Sequence, residues 1–276
     1  MPTDGRFSAN GLSLHYLEWG SRNCPAVLFL HGGSAHAHWW DFVLPHLEDT
    51  YRCVALDLRG HGDSGRPPDG DYALEAHAGD IAAAIDALQL TGCALVGHSF
   101  GGFVAMRYAG YGLPTLAALA VVDSRARILP RSARYLEALC KLPHPRYVSA
   151  EDAVERFRLL PAATTAGPDV LAHIARHSIV ADGNGTLTLK FDRRALTGAR
   201  PQDLAPYLTA ARCPILAVRA ARSAIVDAAA LAEYRAAASH VELAEIADAH
   251  HHVMLDRPEA LAAVLRDFLD RHLRRS

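Results

Sequence analysis

Short apolar segments alternate with longer helix-like segments along most of this chain, and this alternation limits the possible folds more than any other feature. The apolar segments are rich in valine, leucine and alanine, and most are apolar at nearly every position, as strands buried on both faces are. The predicted strands span residues 12–19, 26–30, 53–57, 93–96, 116–123, 215–219 and 241–246. Strands of this kind belong in a sheet that is covered on both sides.

Helices are predicted between these strands. Residues 73–90 carry their leucines and isoleucines on one stripe of a helix. Residues 227–238 consist mainly of strong helix formers. Residues 258–273 begin with Pro258, and proline is favoured in the first turn of a helix. Because strands and helices alternate, we predict βαβ units with right-handed crossovers and a mainly parallel sheet, which is an α/β fold.

One interval is too long for an ordinary crossover. Residues 124–212 separate two predicted strands, whereas most connections in compact domains are short. The helix-like pieces of this interval span 131–141, 151–160 and 169–179, and the sequence DGNGTLTLKFD follows them. We therefore predict a helical lid inserted between two sheet strands. The predicted organisation is a first part of the core at 1–124, the lid at 125–199 and a second part of the core at 200–276.

Size and charge favour a single globular unit without a polyanionic partner. The chain has 276 residues, and 28 Lys and Arg against 30 Asp and Glu give a net charge of −2. Such a balance predicts no nucleic-acid partner. The chain starts without an apolar leader, and no apolar stretch approaches the ~18 residues that a membrane span needs. Five scattered cysteines without a C-x-x-C pair predict reduced thiols, so a cytoplasmic location is expected.

The segment CALVGHSFGGFVAM, residues 93–106, carries the strongest functional signal. Its residues Gly97-His98-Ser99-Phe100-Gly101 match G-x-S-x-G, and they stand between a predicted strand and a predicted helix. Glycine at both flanking positions permits a tight turn that exposes the serine hydroxyl. The helix that follows directs backbone N–H groups toward a developing oxyanion. The motif predicts a nucleophile, since a serine that merely capped the helix would need no flanking glycines.

A nucleophilic serine needs a general base, and the chain has 16 histidines. The segment ADAHHHVMLDRP, residues 247–258, follows the last predicted strand and precedes the last predicted helix. It therefore lies at the same edge of the sheet as Ser99, where ligands of open α/β sheets bind. Position in the sheet leaves three candidates for the base, namely His250, His251 and His252.

Four segments together resemble the α/β-hydrolase family over nearly the whole chain. They are FLHGGSAHAHWW (29–40), ALDLRGHGDSGRP (55–67), LVGHSFGG (95–102) and AHHHVMLDRPEAL (249–261). The resemblance implies the α/β-hydrolase fold with a helical lid, and an activity of the esterase or lipase kind.

The resemblance also implies individual site residues. Ser99 corresponds to the nucleophile, and His251, seven residues before Pro258, corresponds to the catalytic histidine. The oxyanion hole would consist of the backbone N–H groups of Gly33 and Phe100. Main-chain donors in fixed positions stabilise an oxyanion without reorganising, which is worth about 2.7–4 kcal/mol per donor.

The acid departs from the family's common pattern. Many relatives carry it in a Gly-x-x-Asp segment after the strand that ends near residue 219, but here RAARSAIVD holds no carboxylate before Asp227. The strand after the nucleophile strand ends at Asp123, where some relatives place the acid. The order Ser99, Asp123, His251 matches the nucleophile-acid-histidine order of the fold. We predict Asp123 as the acid, with Asp227 as the alternative.

No metal or organic cofactor is expected. His36 and His38 stand at a spacing that suits a metal pair, but no cluster of carboxylates or thiolates accompanies them in the sequence. The polar residues of DLRGHGDS, including Asp57 and Asp63, are interpreted as residues that order their loop.

The leading hypothesis is a serine hydrolase that cleaves a carboxylic ester, a thioester or a lactone through an acyl-enzyme. Its partner would be a small-molecule substrate with an acyl carbonyl, and a homo-oligomer stays open. Two alternatives are carried forward. The same triad would serve a hydrolase of carbon–carbon bonds in dienoic diketones, and the hydrolase fold would also serve a ligand receptor with slow or no turnover.

Overall fold

The computed structural model describes residues 1–273, and its strands are numbered in chain order. The strands are β1 (Thr3–Ala9), β2 (Leu12–Trp19), β3 (Ala26–Leu30), β4 (Arg52–Leu56), β5 (Cys93–His98), β6 (Leu116–Val122), β7 (Arg127–Ile128), β8 (Ile179–Ala181), β9 (Leu187–Leu189), β10 (Gln202–Asp203), β11 (Ile215–Ala220) and β12 (Val241–Ile246). The helices are α1 (Leu74–Ala87), α2 (Phe100–Ala109), α3 (Pro130–Cys140), α4 (Ala150–Arg156), α5 (Pro168–His177), α6 (Ala205–Ala210), α7 (Ala228–Ala237), α8 (Val253–Asp256) and α9 (Pro258–His272). Residues 274–276, the end of the predicted second core part 200–276, lie outside the described residues.

An eight-stranded sheet in the order β1-β2-β4-β3-β5-β6-β11-β12 forms the centre of the molecule. The pairs β1–β2 and β2–β4 are antiparallel, and the five other pairs are parallel. The predicted α/β fold with a mostly parallel sheet is therefore confirmed. Across residues 1–273, no helix has the length and apolar character that a bilayer crossing requires.

Helices cover both faces of the sheet because its central strands are apolar on both faces. In β3, Leu28 and Leu30 join one apolar layer together with residues of α1 and α2. Val27 and Phe29 point the other way and join a second layer with residues of α9. Successive residues of a strand face opposite sides, so a strand buried on both sides reads as one unbroken apolar run.

Among the eight strands of the central sheet, β1 is the one that the sequence analysis missed. Its residues TDGRFSA are mostly half-buried or exposed, as an edge strand allows, so they give no apolar run. The connection to β2 is a two-residue turn at Asn10 and Gly11, with φ of 50° and 75°. Asn-Gly is the typical type I′ hairpin turn, and this signal would have indicated the strand pair.

The long interval between β6 and β11 forms an insertion of helices and short hairpins. It begins and ends at a two-stranded ribbon in which β7 pairs with β10, so that Ile128 lies opposite Gln202. Between these strands lie α3, α4 and α5, close to the three predicted helix-like pieces. The sequence DGNGTLTLKFD forms the turn and second strand of the β8–β9 hairpin. The ribbon fixes both ends of the insertion on the core.

Candidate active site

Ser99 stands in a tight turn between β5, which ends at His98, and α2, which begins at Phe100. Its backbone has φ 51° and ψ −115°, a strained region for a residue with a side chain. A Cβ on Gly97 would lie 2.4 Å from the Gly101 carbonyl oxygen, and a Cβ on Gly101 would lie 2.5 Å from a backbone oxygen of the β3 end. Both glycines are therefore required by close backbone approach.

The side chains of Ser99, His251 and Asp123 form one hydrogen-bonded chain. The Nε2 atom of His251 lies 3.0 Å from the Ser99 hydroxyl oxygen, and its Nδ1 atom lies 2.7 Å from Oδ2 of Asp123. Three separate strand ends supply them, since Ser99 follows β5, Asp123 follows β6 and His251 follows β12. The structure thus brings together three residues that the sequence analysis predicted to meet.

Asp123 is fully buried and every contact to its carboxylate is a hydrogen-bond donor. Besides His251, the Ala220 N–H donates to Oδ1 at 2.9 Å and the Ser223 hydroxyl donates to Oδ2 at 2.6 Å. The Ser223 oxygen in turn accepts from the N–H groups of Ile225 and Val226. The last residue of β11 and the segment after it, where the sequence analysis looked for an acid, supply donors that hold the Asp123 carboxylate. Sequence reasoning noticed the missing acid but not this role of Ser223.

Asp227 lies elsewhere. Its side chain is 61% exposed and pairs with Arg125 at 3.3 Å. One of its oxygens accepts from the Ala230 N–H at 2.9 Å, which makes Asp227 the N-cap of α7. His251 therefore contacts Asp123, whereas Asp227 makes only the local contacts to Arg125 and to the start of α7.

His98 holds the backbone of the loop that carries His251. Its Nε2 donates to the His251 carbonyl oxygen at 2.8 Å. Burial, followed by the nearby His251 and His252 imidazoles, lowers the pKa of His98 well below its usual range. A neutral imidazole with its proton on Nε2 is the donor that this contact needs. The position between Gly97 and Ser99 gave no sign of this function in the sequence.

The Gly32–Gly33 segment passes beside Ser99. A Cβ on Gly32 would lie 3.3 Å from the Ser99 Cβ, and a Cβ on Gly33 would lie 3.8 Å from the Phe100 Cβ. Phe100 is the first residue of α2, and the first N–H groups of a helix have no partner within it. The backbones that the sequence analysis assigned to an oxyanion hole therefore flank Ser99.

His31 holds the turn that presents this segment. Its Nδ1 donates to the Gly32 carbonyl at 2.7 Å and its Nε2 accepts the Leu58 N–H at 3.0 Å, which defines a neutral tautomer. Asp57 supports the same region, since its carboxylate accepts from His15 Nδ1 and from the N–H groups of Ala37 and Asp63. Burial alone would raise the pKa of Asp57, but the hydrogen bond from His15 and the imidazoles nearby outweigh it and lower the pKa. Asp57 thus orders its loop.

Substitution of Gly97 by alanine is expected to destabilise the fold by more than about 3 kcal/mol, because the added methyl group meets backbone that cannot move aside. Urea denaturation measures this. Gly79→Ala is the matched control, since Gly79 lies inside α1 and its added Cβ would meet nothing closer than 3.7 Å. The control is expected to gain up to about 1 kcal/mol. Equal stabilities of the two variants would contradict the close approach.

The buried histidines predict that stability falls below pH 6.5. Burial, followed by neighbouring imidazoles, lowers the pKa of His61 and of His252 to about 3. The unfolded chain binds a proton at each below pH ~6.5, while the folded protein does not, so acid favours unfolding by about 1.4 kcal/mol per pH unit and histidine. At pH 5 this amounts to about 2 kcal/mol for each.

Urea titrations at pH 7 and pH 5 check this expectation. His61→Gln is expected to flatten the pH dependence of the unfolding free energy by up to one proton. Equal slopes for wild type and His61→Gln would show that His61 is protonated alike in both states.

Fold and site together define a class, that of hydrolases built on an open parallel sheet with a strand-turn-helix serine. The comparison with known families agrees, since the family described as alpha/beta hydrolase fold matches residues 25–258. The chain belongs to this family. The predicted family resemblance is thereby confirmed.

Several named relatives extend over nearly the whole chain. N-formylmaleamate deformylase of Pseudomonas putida is 33% identical over 98% of this chain and 97% of its own length. Esterase Rv0045c of Mycobacterium tuberculosis is 29% identical over 98% of this chain and 90% of its own length. Among solved structures, E-2-(acetamidomethylene)succinate hydrolase superposes with a TM-score of 0.88 at 25% identity, covering 98% of this chain and all of the other.

Proposed function

We propose that this protein is a serine hydrolase that cleaves its substrate through an acyl-enzyme intermediate. The observation that carries the proposal is the hydrogen-bonded chain from Ser99 Oγ through His251 to the buried Asp123 carboxylate. Nucleophile, base and orienting acid at hydrogen-bond distance are the arrangement that activates a serine.

The proposed reaction has two halves. The Ser99 oxygen attacks the substrate carbonyl while His251 Nε2 takes its proton, and Asp123 stabilises the imidazolium that forms. The N–H groups of Gly33 and Phe100 stabilise the tetrahedral oxyanion. His251 then gives the proton to the leaving group. Water, deprotonated by the same nitrogen, attacks the acyl carbonyl and releases the acid and free Ser99.

The insertion is proposed to act as the lid of this site. A Cβ on Gly33 would lie 3.5 Å from a methyl group of Leu196, and a Cβ on Gly198 would lie 3.4 Å from the Phe100 ring. Leu196 belongs to an apolar cluster with Phe191 of the insertion and Tyr72 of the core. Residues of the insertion therefore support an apolar wall beside the proposed oxyanion hole.

The substrate proposed first is a carboxylic ester, a thioester or a lactone. An amide is the second candidate, because the Pseudomonas putida relative is named for an N-formyl compound and the structural neighbour for an acetamido compound. The leaving group of an amide substrate is an amine, so His251 must protonate the amide nitrogen before the carbon–nitrogen bond breaks. The same residues serve both reactions.

A fluorophosphonate probe tests the proposed nucleophile. The probe is expected to label the wild-type protein on Ser99, located by peptide mass, and to leave Ser99→Ala unlabelled. Ser21→Ala, at an exposed serine, is the matched control and is expected to label at the wild-type rate. Labelling elsewhere, or no labelling, would support a receptor without turnover and contradict the proposal.

A substrate panel tests the proposed reaction. p-Nitrophenyl esters of increasing acyl length are expected to give a burst of nitrophenol followed by steady turnover, as an acyl-enzyme predicts. N-formyl and N-acetyl amides, followed by release of formate or acetate, test the second candidate. Cleavage of a vinylogous diketone without turnover of any ester or amide would instead support carbon–carbon hydrolysis.

A further inference from the structure

Three histidines and an aspartate that take no part in the proposed reaction meet on one side of the insertion. His38 lies in a short 3-10 helix (Ala37–Trp40) of the loop after β3, and Asp41 directly follows this helix. His173 and His177 lie about one turn apart on α5. One potential ligand atom from each of the four lies within 4.8 Å of all the others. We call these four residues the His38 cluster.

We propose that the His38 cluster binds one divalent transition-metal ion, with zinc as the best match. Three imidazole nitrogens and one carboxylate oxygen form a donor set that suits tetrahedral Zn²⁺. Two histidines four residues apart on a helix, His173 and His177, present their side chains on the same face. The ion would join α5 of the insertion to the loop after β3.

Asp41 already gathers two of the imidazoles. Its Oδ2 lies 2.9 Å from His38 Nδ1 and 2.7 Å from His173 Nε2. Around a zinc ion with bonds of about 2.0–2.1 Å, tetrahedral ligand atoms are separated by about 3.4 Å. Each nitrogen therefore needs to move away from the Asp41 oxygen by only about 0.5–0.7 Å.

The other Asp41 oxygen points to a missing ligand. Oδ1 is buried and has no hydrogen-bond partner among residues 1–273. A buried carboxylate oxygen without a donor is costly. A cation bound by Asp41 removes this cost, since either oxygen can coordinate it.

His177 completes the set after a rotation. Its ring stacks on His38 with centroids 3.6 Å apart and planes 24° apart. Ring nitrogens coordinate in the plane of the ring, so two nearly parallel rings cannot both face one ion. Binding must turn one ring out of the stack.

A second group of similar composition does not suit a metal. His15, Asp57 and Asp63 also lie within ligand distance of one another. The Asp57 carboxylate already accepts hydrogen bonds from His15 and from two backbone N–H groups. The Lys190 ammonium lies 2.7 Å from Asp63 Oδ2. That group is complete without an ion. The Lys190 ammonium also lies near His177 and disfavours positive charge on that imidazole.

The sequence analysis expected no metal because it found no cluster of carboxylates or thiolates that accompanies His36 and His38. Asp41 stands three residues after His38, and the other two ligands come from an element more than a hundred residues away. His36 takes a different role, since its Nε2 lies 2.9 Å from the Ser178 hydroxyl next to His177. This contact docks the end of α5 on the loop and keeps the four ligands close.

Calorimetric titration of the chelator-treated full chain with Zn²⁺ tests the proposal. Wild type is expected to bind one ion per chain. Asp41→Asn and the double variant His173→Gln/His177→Gln are expected to weaken this binding by more than about tenfold. His240→Gln, at an exposed histidine outside the cluster, is the matched control and is expected to bind as wild type does. No binding by wild type, or equal binding by the cluster variants, overturns the proposal.

Two further readouts keep the result independent of hydrolase activity. The wild-type Tm is expected to rise with the logarithm of free Zn²⁺, and the Tm of the double variant is expected to stay constant. Bound Co²⁺ is expected to show the visible bands of a tetrahedral nitrogen and oxygen site. Strong sulfur-to-cobalt absorption would assign the ion to cysteines such as Cys24 or Cys140, which are partly exposed, and would overturn the proposal.

Discussion

The Ser99→Ala variant is expected to lose about 10⁶-fold in kcat on whichever ester or amide wild type hydrolyses, because the bond-forming oxygen is absent. Its KM is expected to change little, since the proposed lid and the proposed backbone donors remain in place. The variant is still expected to hydrolyse the substrate about 10³-fold faster than water alone does, through the proposed oxyanion donors and substrate binding.

The fold should survive this substitution. The Ser99 hydroxyl does not cap α2, and alanine tolerates the strained φ no worse than serine does. Urea denaturation is therefore expected to give a stability within about 1 kcal/mol of wild type. A loss of activity that follows a loss of fold, or a variant that keeps more than a tenth of wild-type kcat, would contradict the assignment of Ser99.

The second large effect is expected at the acid. In Asp123→Asn the amide can donate to His251 Nδ1, which forces the imidazole proton onto Nε2, facing Ser99. The base then cannot accept the serine proton, and a loss of about 10⁴ in kcat follows, as in other serine triads. His251 Nδ1 lies 2.7 Å from Asp123 and Nε2 lies 3.0 Å from Ser99, so a change of hydrogen-bond partner at residue 123 acts directly on the nitrogen that faces the serine.

Asp227→Asn is the matched control for this prediction. The same chemical change is made at the carboxylate that the sequence offered as the alternative acid. Asparagine still caps α7, so kcat and stability are both expected to stay near wild type. Steady-state kinetics on the pair decide the matter, and an inactive Asp227→Asn beside an active Asp123→Asn would reverse the assignment.

Much of the fold could be predicted because its signals are local. Strands β3, β5 and β11 are short apolar runs between helix-like segments, and this pattern is set by burial on both faces. The turn around Ser99 could be predicted because only glycine permits the backbone approach at positions 97 and 101. Strand β1 was not predicted, because an edge strand buries little and leaves no apolar run, and its local signal was confined to the Asn10-Gly11 turn.

The candidate site was only partly predictable. His251 stood out from its two neighbours through a family spacing, not through its own chemistry. The orienting role of Ser223 and the anchoring role of His98 depend on contacts across 100 and 153 residues of chain, to Asp123 and to the His251 carbonyl. No local pattern encodes such contacts.

By itself the sequence determined the order of the main strands and helices, the tight turn at Ser99 and the lack of a carboxylate in residues 219–226. The sequence favoured Asp123 over Asp227 as the acid and kept both. Only the tertiary structure shows that Asp123 reaches His251, and that His38 and Asp41 meet two histidines of α5. The physical reason is distance along the chain. Propensity and burial act on neighbouring residues, whereas a proton path or a ligand set depends on which strand ends and loops the folded sheet brings to the same edge.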